Sequence, residues 1–208
     1  MTTDSESHYQ RYLARKRQKL QSGQAKPPKL GESLARMWQL AQMAQAPIHE
    51  CLVPEGLFEQ GIGNLAFSRM LPDGQIALAV FLLDVFCLGV KNAFLTIVAK
   101  DVYGERRRHW SGPENLKPMP PACFRKLVEG GVAYAGELGF SPHADYAEAC
   151  RIFGEVDPAA CQTKFEYGRE GKPFYISGPN ETPAQAQRIV EQLGRRLGAD
   201  NFDWLLAL

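Results

Sequence analysis

Three side chains that could do chemistry follow one another on the longest apolar stretch of the chain, IALAVFLLDVFCLGVKNAFLTIV at residues 76–98. Asp84, Cys87 and Lys91 place a carboxylate, a thiol and an amine at the end of a predicted buried strand. Side chains at a strand end can reach a cleft, so one interpretation is a small hydrolytic enzyme with these polar residues in its cleft. The other is structural, with Asp84 bonding turn amides and pairing with Lys91, because an isolated buried charge is very costly.

Cysteine chemistry at this position would need a nearby base and a lowered thiol pKa. His49 is the candidate base, but nothing in the sequence brings it close, which favours Cys87 as a small buried hydrophobe. His49 and Cys51 are spaced to share a strand face, where they would offer two metal ligands. Because no second pair of ligands accompanies them, the sequence predicts neither a metal nor a cofactor.

Basic residues cluster in two segments that could contact phosphates. Residues 1–31 carry seven Lys and Arg against Asp4 and Glu6, a net charge of +5 that leaves −4 for the rest of the chain. Three adjacent arginines beside a tryptophan could bind phosphates while the ring stacks on a base. A solvated tail and a solvated turn are the structural alternatives. The candidate nucleic-acid contacts are Arg11, Arg15, Lys16, Arg17, Lys19, Arg106, Arg107, Arg108 and Trp110.

A third candidate is the loop in FYISGPNETP, which joins a predicted strand to a predicted helix. Free amides at a helix N-terminus attract anions, so Ser177, Gly178 and Thr182 could hold a phosphate or a carboxylate. The segment lacks the GxxxxGK[ST] and GxGxxG patterns of nucleotide-binding loops, and this favours a purely structural connection.

The elements that position these residues follow from local signals. LPDGQ at residues 71–75 is a turn between two apolar runs and predicts a hairpin. We expect antiparallel strands at about residues 63–70, 75–84 and 92–100, the middle one buried on both faces, with residues 47–53 as a candidate fourth. Helices are expected at 5–21, from residue 32, at 122–138, from 141 to 154 and from residue 182, the last with Thr182 and Gln185 as a capping box.

The remaining segments complete an α+β fold, an antiparallel sheet of three to four strands packed by helices. Residues 103–121, which contain the arginine triplet, are predicted to be a loop. KFEYG and KPFYISG predict a small C-terminal hairpin. Residues 21–31 have linker composition, so the expected organisation is a basic helical arm and linker at 1–31 and one domain at 32–208.

The compartment is inferred from what the chain lacks. Charged residues near the middle of a spanning helix cost about 2.5 to 3.5 kcal/mol each, so Asp84 and Lys91 speak against a membrane span at residues 76–98. The first ten residues are too polar for a secretory signal. Five widely spaced cysteines without a CxxC pair are expected to be reduced thiols in a cytoplasm.

Two segments, VFLLDVFCLGVKNAF and FEYGREGKPFYISGPNETP, resemble segments of a group of uncharacterised bacterial proteins. The resemblance extends from about residue 47 to residue 190. No activity is established for that group, so the resemblance implies a shared fold and a cytoplasmic setting and nothing about chemistry.

The function expected from these observations is a cytoplasmic binding module that engages RNA or a ribonucleoprotein through its basic segments. One alternative is the hydrolytic enzyme built around Asp84, Cys87 and Lys91. The other is a protein–protein adaptor that uses the acidic body and the basic arm.

Overall fold

The computed structural model describes residues 40–110, 115–178 and 181–206, without the side chains of residues 106 and 108–110. Residues from Leu40 onward form one compact unit. The helix predicted at 5–21, the linker and the domain boundary expected after residue 31 lie outside the described residues. Residues 40–45 are helical, and Met43 packs into the core as the predicted second helix requires.

The described elements alternate strands and helices along the chain. The strands are β1 Ile48–Pro54, β2 Ile62–Met70, β3 Ile76–Asp84, β4 Gly89–Val98, β5 Leu116–Pro118, β6 Phe174–Ile176 and β7 Asp203–Leu205. The α-helices are α1 Leu57–Gln60, α2 Lys100–Trp110, α3 Pro121–Glu137, α4 Tyr146–Ala149 and α5 Pro183–Leu197. Short 3₁₀ turns occupy Cys150–Phe153, Pro158–Ala160 and Ala199–Asn201.

An antiparallel sheet of five strands, in the order β4-β3-β2-β1-β5, forms the centre of the described structure. The α+β prediction is confirmed, and β5 extends the expected three to four strands to five. The turn at residues 71–75 joins β2 to β3 as predicted, with Gly74 at φ +80° and Asp73 accepting a hydrogen bond from the Gln75 amide. Nearly every residue of β3 is buried, as expected of a strand that lies between two others.

The two faces of β3 pack against different helices. Ala77, Ala79, Phe81 and Leu83 belong to the main core, together with Phe124, Leu127 and Val128 of α3. The alternate residues Ile76, Leu78 and Val80 form a second cluster with Tyr103 of α2. Because successive strand side chains point to opposite faces, a helix covers each side of the sheet.

The arginine-rich segment is a helix and not a loop, so the prediction of a loop over residues 103–121 is wrong for its first part. Lys100–Trp110 contains no proline, and Arg, Lys and Glu are good helix formers. Tyr103 is 4% exposed and anchors the helix on the sheet. Tertiary burial of one aromatic therefore outweighs the single glycine of this segment, Gly104, in deciding its conformation.

The C-terminal strand pairing also differs from the expected hairpin. A turn does form at Arg169 and Lys172, which share one antiparallel bridge. The strand that follows it, β6, instead pairs in parallel with β7. The residues before the turn are held elsewhere, because the Tyr167 hydroxyl donates to the Leu127 carbonyl and the Gly168 amide donates to the Val85 carbonyl.

The remaining predicted helices form with local differences. The helix expected at 122–138 is α3, and Gly139 follows it at φ +87° as the predicted terminator. The helix expected from residue 141 is shorter, consisting of α4 and a 3₁₀ turn that ends at Gly154. Thr182 and Gln185 form the predicted capping box at the start of α5.

A buried arginine that the sequence did not single out joins two helix ends. Arg69 is 5% exposed, and its guanidinium donates to the carbonyl oxygens of Ile152, at 2.6 Å, and Phe153, at 2.8 Å. It also donates to Ala46, just after the helical residues 40–45. Helix C-termini carry partial negative charge, so they stabilise this cation without a carboxylate, although burial lowers its pKa.

Cys123 and Cys161 form a disulfide, with Cα atoms 5.0 Å apart. The expectation that all five cysteines are reduced is therefore wrong for this pair. The fold brings the first turn of α3 against the residue that follows the 3₁₀ turn Pro158–Ala160, a contact across 38 residues that no local pattern announces. Cys51, Cys87 and Cys150 are free thiols.

None of the helices in the described ranges has both the length and the apolar character needed to cross a bilayer. The apolar stretch at residues 76–98 forms β3, a tight turn and β4 instead of a single helix.

Candidate functional site

The connection between β3 and β4 is organised by the carboxylate of Asp84. Its Oδ1 accepts hydrogen bonds from the amides of Phe86 and Cys87, both at 2.9 Å. Gly89 ends the turn at φ +63°, where an L side chain would be strained. The structural interpretation of Asp84 as the acceptor for turn amides is confirmed.

Burial decides the protonation chemistry of this turn. Desolvation raises the pKa of Asp84 to about 6, against the lowering effect of the amide hydrogen bonds and of the nearby Lys91 charge. Burial also raises the pKa of the Cys87 thiol, and the Asp84 charge raises it further. A thiol that is fully buried and hard to ionise is a poor nucleophile, so Cys87 acts as a core residue.

Lys91 pairs with Glu181 and not with Asp84 as the sequence led us to expect. Its Nζ lies 2.7 Å from Oε1 of Glu181, and both side chains are less than one-fifth exposed. The other oxygen of Glu181 accepts from the Tyr175 hydroxyl at 2.6 Å and from the Gly178 amide at 3.1 Å. Burial raises the pKa of Glu181, but these hydrogen bonds outweigh it and hold the pKa below its usual value.

The predicted anion-binding loop contains an anion supplied by the chain itself. Gly178 donates its amide to Glu181, and Thr182 accepts from the Gln185 amide as the N-cap of α5. Ser177 donates its amide to the carbonyl of Leu205 in β7. The structure therefore gives Ser177, Gly178 and Thr182 structural partners and brings the carboxylate of Glu181 to this loop.

His49 lies far from Asp84. His49 is the extra residue where the register shifts between Ile48 and Glu50, beside Arg69 of β2. Arg69 pairs on its other side with Ala77 at the start of β3, and Asp84 is the last residue of that strand. At about 3.3 Å per residue the two ends are roughly 23 Å apart. The candidate base and the candidate carboxylate therefore do not converge.

The same register shift separates His49 from Cys51. The His49 ring packs edge-on to Tyr103, at 5.4 Å between centroids, and its Nε2 lies 3.4 Å from Glu50. Cys51 belongs to the main core, where burial raises its pKa to about 12. The expectation that the two share a face is wrong. Among the described residues no group of three or more His, Cys, Asp and Glu could hold a metal ion.

Of the predicted nucleic-acid contacts, the structure describes one side chain. Arg107 is partly exposed and lies 3.3 Å from Oε2 of Glu50, an ion pair that fastens α2 to β1. Arg106, Arg108 and Trp110 belong to α2, but their side chains are outside the described structure, as are the residues Arg11, Arg15, Lys16, Arg17 and Lys19.

Beside the Lys91–Glu181 pair lies a pocket of about 230 Å³ that the sequence did not indicate. Its lining residues come from the β3–β4 turn, from the segment after α3 and from α5: Leu88, Val90, Lys91, Phe140, Ser141, His143 and Ile189. Only Lys91 was a sequence candidate. Ser141 and His143 stand in SPH, which matches no chemical motif, so no sequence signal could have pointed to them.

The two segments that carry the resemblance pack against each other. Phe174 donates its amide to the carbonyl of Phe86, and the two rings lie 6.2 Å apart. The Lys91–Glu181 pair joins the same two segments further along. Searches with protein-family models, among curated proteins and among solved structures find no match to this chain, so the resemblance stays a prediction.

Proposed function

We propose that the protein is a binding module that engages RNA or a ribonucleoprotein through α2 and the basic segment before residue 32. The observation that carries the proposal is that Arg106, Arg107 and Arg108 occupy consecutive positions of a helix anchored on the sheet by Tyr103. A docked helix holds its cations at lower entropic cost than a free loop, which favours phosphate binding.

The positions of the other candidates support binding over catalysis. Asp84 serves the turn amides, Cys87 is buried and His49 lies at the opposite end of the sheet. Nucleophilic catalysis needs the nucleophile and its base within hydrogen-bond reach. Because these groups are apart, the hydrolytic alternative has no geometric support.

The proposal is tested by measuring how RNA affinity depends on salt. We expect the full chain to bind a labelled single-stranded RNA in fluorescence anisotropy, with affinity that falls steeply as salt rises. Exchanging Arg106 and Arg108 for glutamine should weaken binding and reduce the slope of log affinity against log salt by roughly one. Lys164→Gln with Arg195→Gln removes the same charge from exposed positions elsewhere and should change little.

Two outcomes would contradict the proposal. One is the absence of RNA binding, and the other is binding that is independent of salt or equally weakened by both double variants. Either result would leave the protein–protein adaptor as the interpretation that fits the charge distribution.

A cytoplasmic location is part of the proposal, and its support is the RNA partner that we propose. The Cys123–Cys161 disulfide counts against it, because disulfides persist mainly in oxidising compartments. Trapping thiols with an alkylating agent at the moment of lysis shows which redox state the protein has in its own compartment.

A further inference from the structure

The pocket beside Lys91 is built like a site for a small molecule. Its floor and walls include four apolar side chains, Leu88, Val90, Phe140 and Ile189. Binding pockets combine mostly apolar walls with a few placed polar groups, and pockets for drug-sized ligands start at about 300 Å³. At about 230 Å³ this one suits a smaller organic molecule.

The polar lining residues are all hydrogen-bond donors. Lys91 has three N–H groups, of which the contact with Glu181 uses one. The Nδ1 of His143 accepts a hydrogen bond from the Asp145 amide at 3.2 Å, so the proton of the neutral ring is on Nε2. Ser141 is exposed and adds a hydroxyl. Neither Glu181 nor Asp84 lines the pocket, so its only permanent charge is positive.

The walls are fixed to one another by hydrogen bonds that do not involve a ligand. The His143 amide donates to the Val90 carbonyl at 2.9 Å and holds the segment after α3 against β4. Gln192 of α5 donates to the Gly139 carbonyl at 2.6 Å and holds the helix against the same segment. A preformed pocket avoids the ordering cost that weakens binding to mobile surfaces.

We propose that this pocket binds a small organic acid, with the apolar part of the ligand against Leu88, Val90, Phe140 and Ile189 and its carboxylate on Lys91, Ser141 and His143. The site uses no residue of the proposed RNA-binding surface, so the two proposals stand or fall separately. A free inorganic anion would leave the apolar walls uncovered, and a neutral ligand would leave the cation without a partner.

The test uses three probes that separate charge from apolar contact. Benzoate carries both features, benzamide lacks the charge, and inorganic phosphate lacks the ring. In ¹H–¹⁵N NMR titrations of the full chain we expect saturable benzoate shifts at residues 88–91 and 139–143, with at least roughly tenfold weaker binding of the other two probes. The inference is overturned by equal affinity for benzoate and benzamide, by shifts elsewhere, or by no saturation up to about 10 mM benzoate.

Variants assign the polar contacts. Lys91→Met should weaken benzoate binding at least roughly tenfold, whereas Lys164→Met removes an exposed lysine elsewhere and should not. If Lys91→Met fails to fold, Ser141→Ala replaces it, because Ser141 is exposed and its loss leaves the core intact. Unchanged benzoate affinity in the variant that folds would overturn the assignment.

Discussion

Single side chains decide the polar interior of this protein, and two of them carry charge where charge is costly. Arg69 is buried without an acidic partner and is stabilised by the carbonyls of Ala46, Ile152 and Phe153. Asp84 is buried and stabilised by turn amides. In both cases backbone dipoles supply the compensation that an ion pair would otherwise supply.

The pH dependence of stability should report on Asp84. Its pKa is about 6 in the folded chain, whereas an unfolded Asp titrates near 3.9. The native state therefore binds more protons than the unfolded state between about pH 4 and 6, and the free energy of unfolding from this group falls as pH rises through that window. Asp84→Asn should remove that fall, on the order of 2 kcal/mol, in urea unfolding across a pH series.

A matched control for this prediction is Asp73→Asn. Asp73 also accepts a turn amide, that of Gln75, but it is exposed. The control should follow the wild-type pH dependence. If the wild-type and Asp84→Asn curves run parallel from pH 4 to 7, burial does not raise the pKa of Asp84.

At the scale of elements, the close approach of the β3–β4 turn to α3 positions the candidate site. A Cβ at Gly89 would lie 2.7 Å from the carbonyl oxygen of Gly131 and 2.8 Å from Cβ of Ala135. A glycine at each of positions 89 and 131 lets the strand and the helix touch through their backbones. Any side chain at residue 89 would push α3 away from the sheet.

The packing prediction compares two glycines that share a positive φ. Gly89→Ala should lower the free energy of unfolding by at least about 2 kcal/mol more than Gly74→Ala, because only Gly89 has neighbours that a methyl group would strike. Gly74 has φ +80° with nothing within 4 Å, so its variant measures the backbone strain alone. Chemical denaturation of both variants gives the difference. Equal losses would mean that strain, and not packing, fixes residue 89.

At the scale of the whole molecule, a long irregular segment after Gly154 is fastened onto α3. Arg125 donates to the carbonyls of Gly154 and Val156, and Lys126 donates to that of Cys161. Tyr167 stacks on Tyr134 with ring centroids 5.6 Å apart. The Cys123–Cys161 disulfide adds a covalent tie to the same contact.

Removing the disulfide should destabilise the oxidised protein. Closing a loop of 38 residues restricts the unfolded chain by roughly 3 to 4 kcal/mol, so Cys123→Ala with Cys161→Ala should lose about that much free energy of unfolding. Reductant should bring the wild type down to the level of the double variant. Cys150→Ala, at a free thiol, is the control and should still respond to reductant. A wild type indifferent to reductant would contradict the prediction.

The sequence by itself determined the features that depend on neighbouring residues. The turn at residues 71–75, the alternating burial of β2 and β3, α3 and the capping box of Thr182 and Gln185 all follow from local turn, periodicity and capping chemistry. Asp84 as an acceptor for turn amides is equally local, because its donors lie two and three residues ahead.

Only the tertiary structure decided the contacts between distant residues. Lys91 meets Glu181 and not the nearer Asp84, because the loop before α5 brings a carboxylate to it. The Arg69 clamp, the disulfide, the parallel pairing of β6 with β7 and the register shift that separates His49 from Cys51 are of the same kind. A local pattern holds no information about which distant backbone fills a space, so the ion pair and the pocket beside it appear only once the chain is folded.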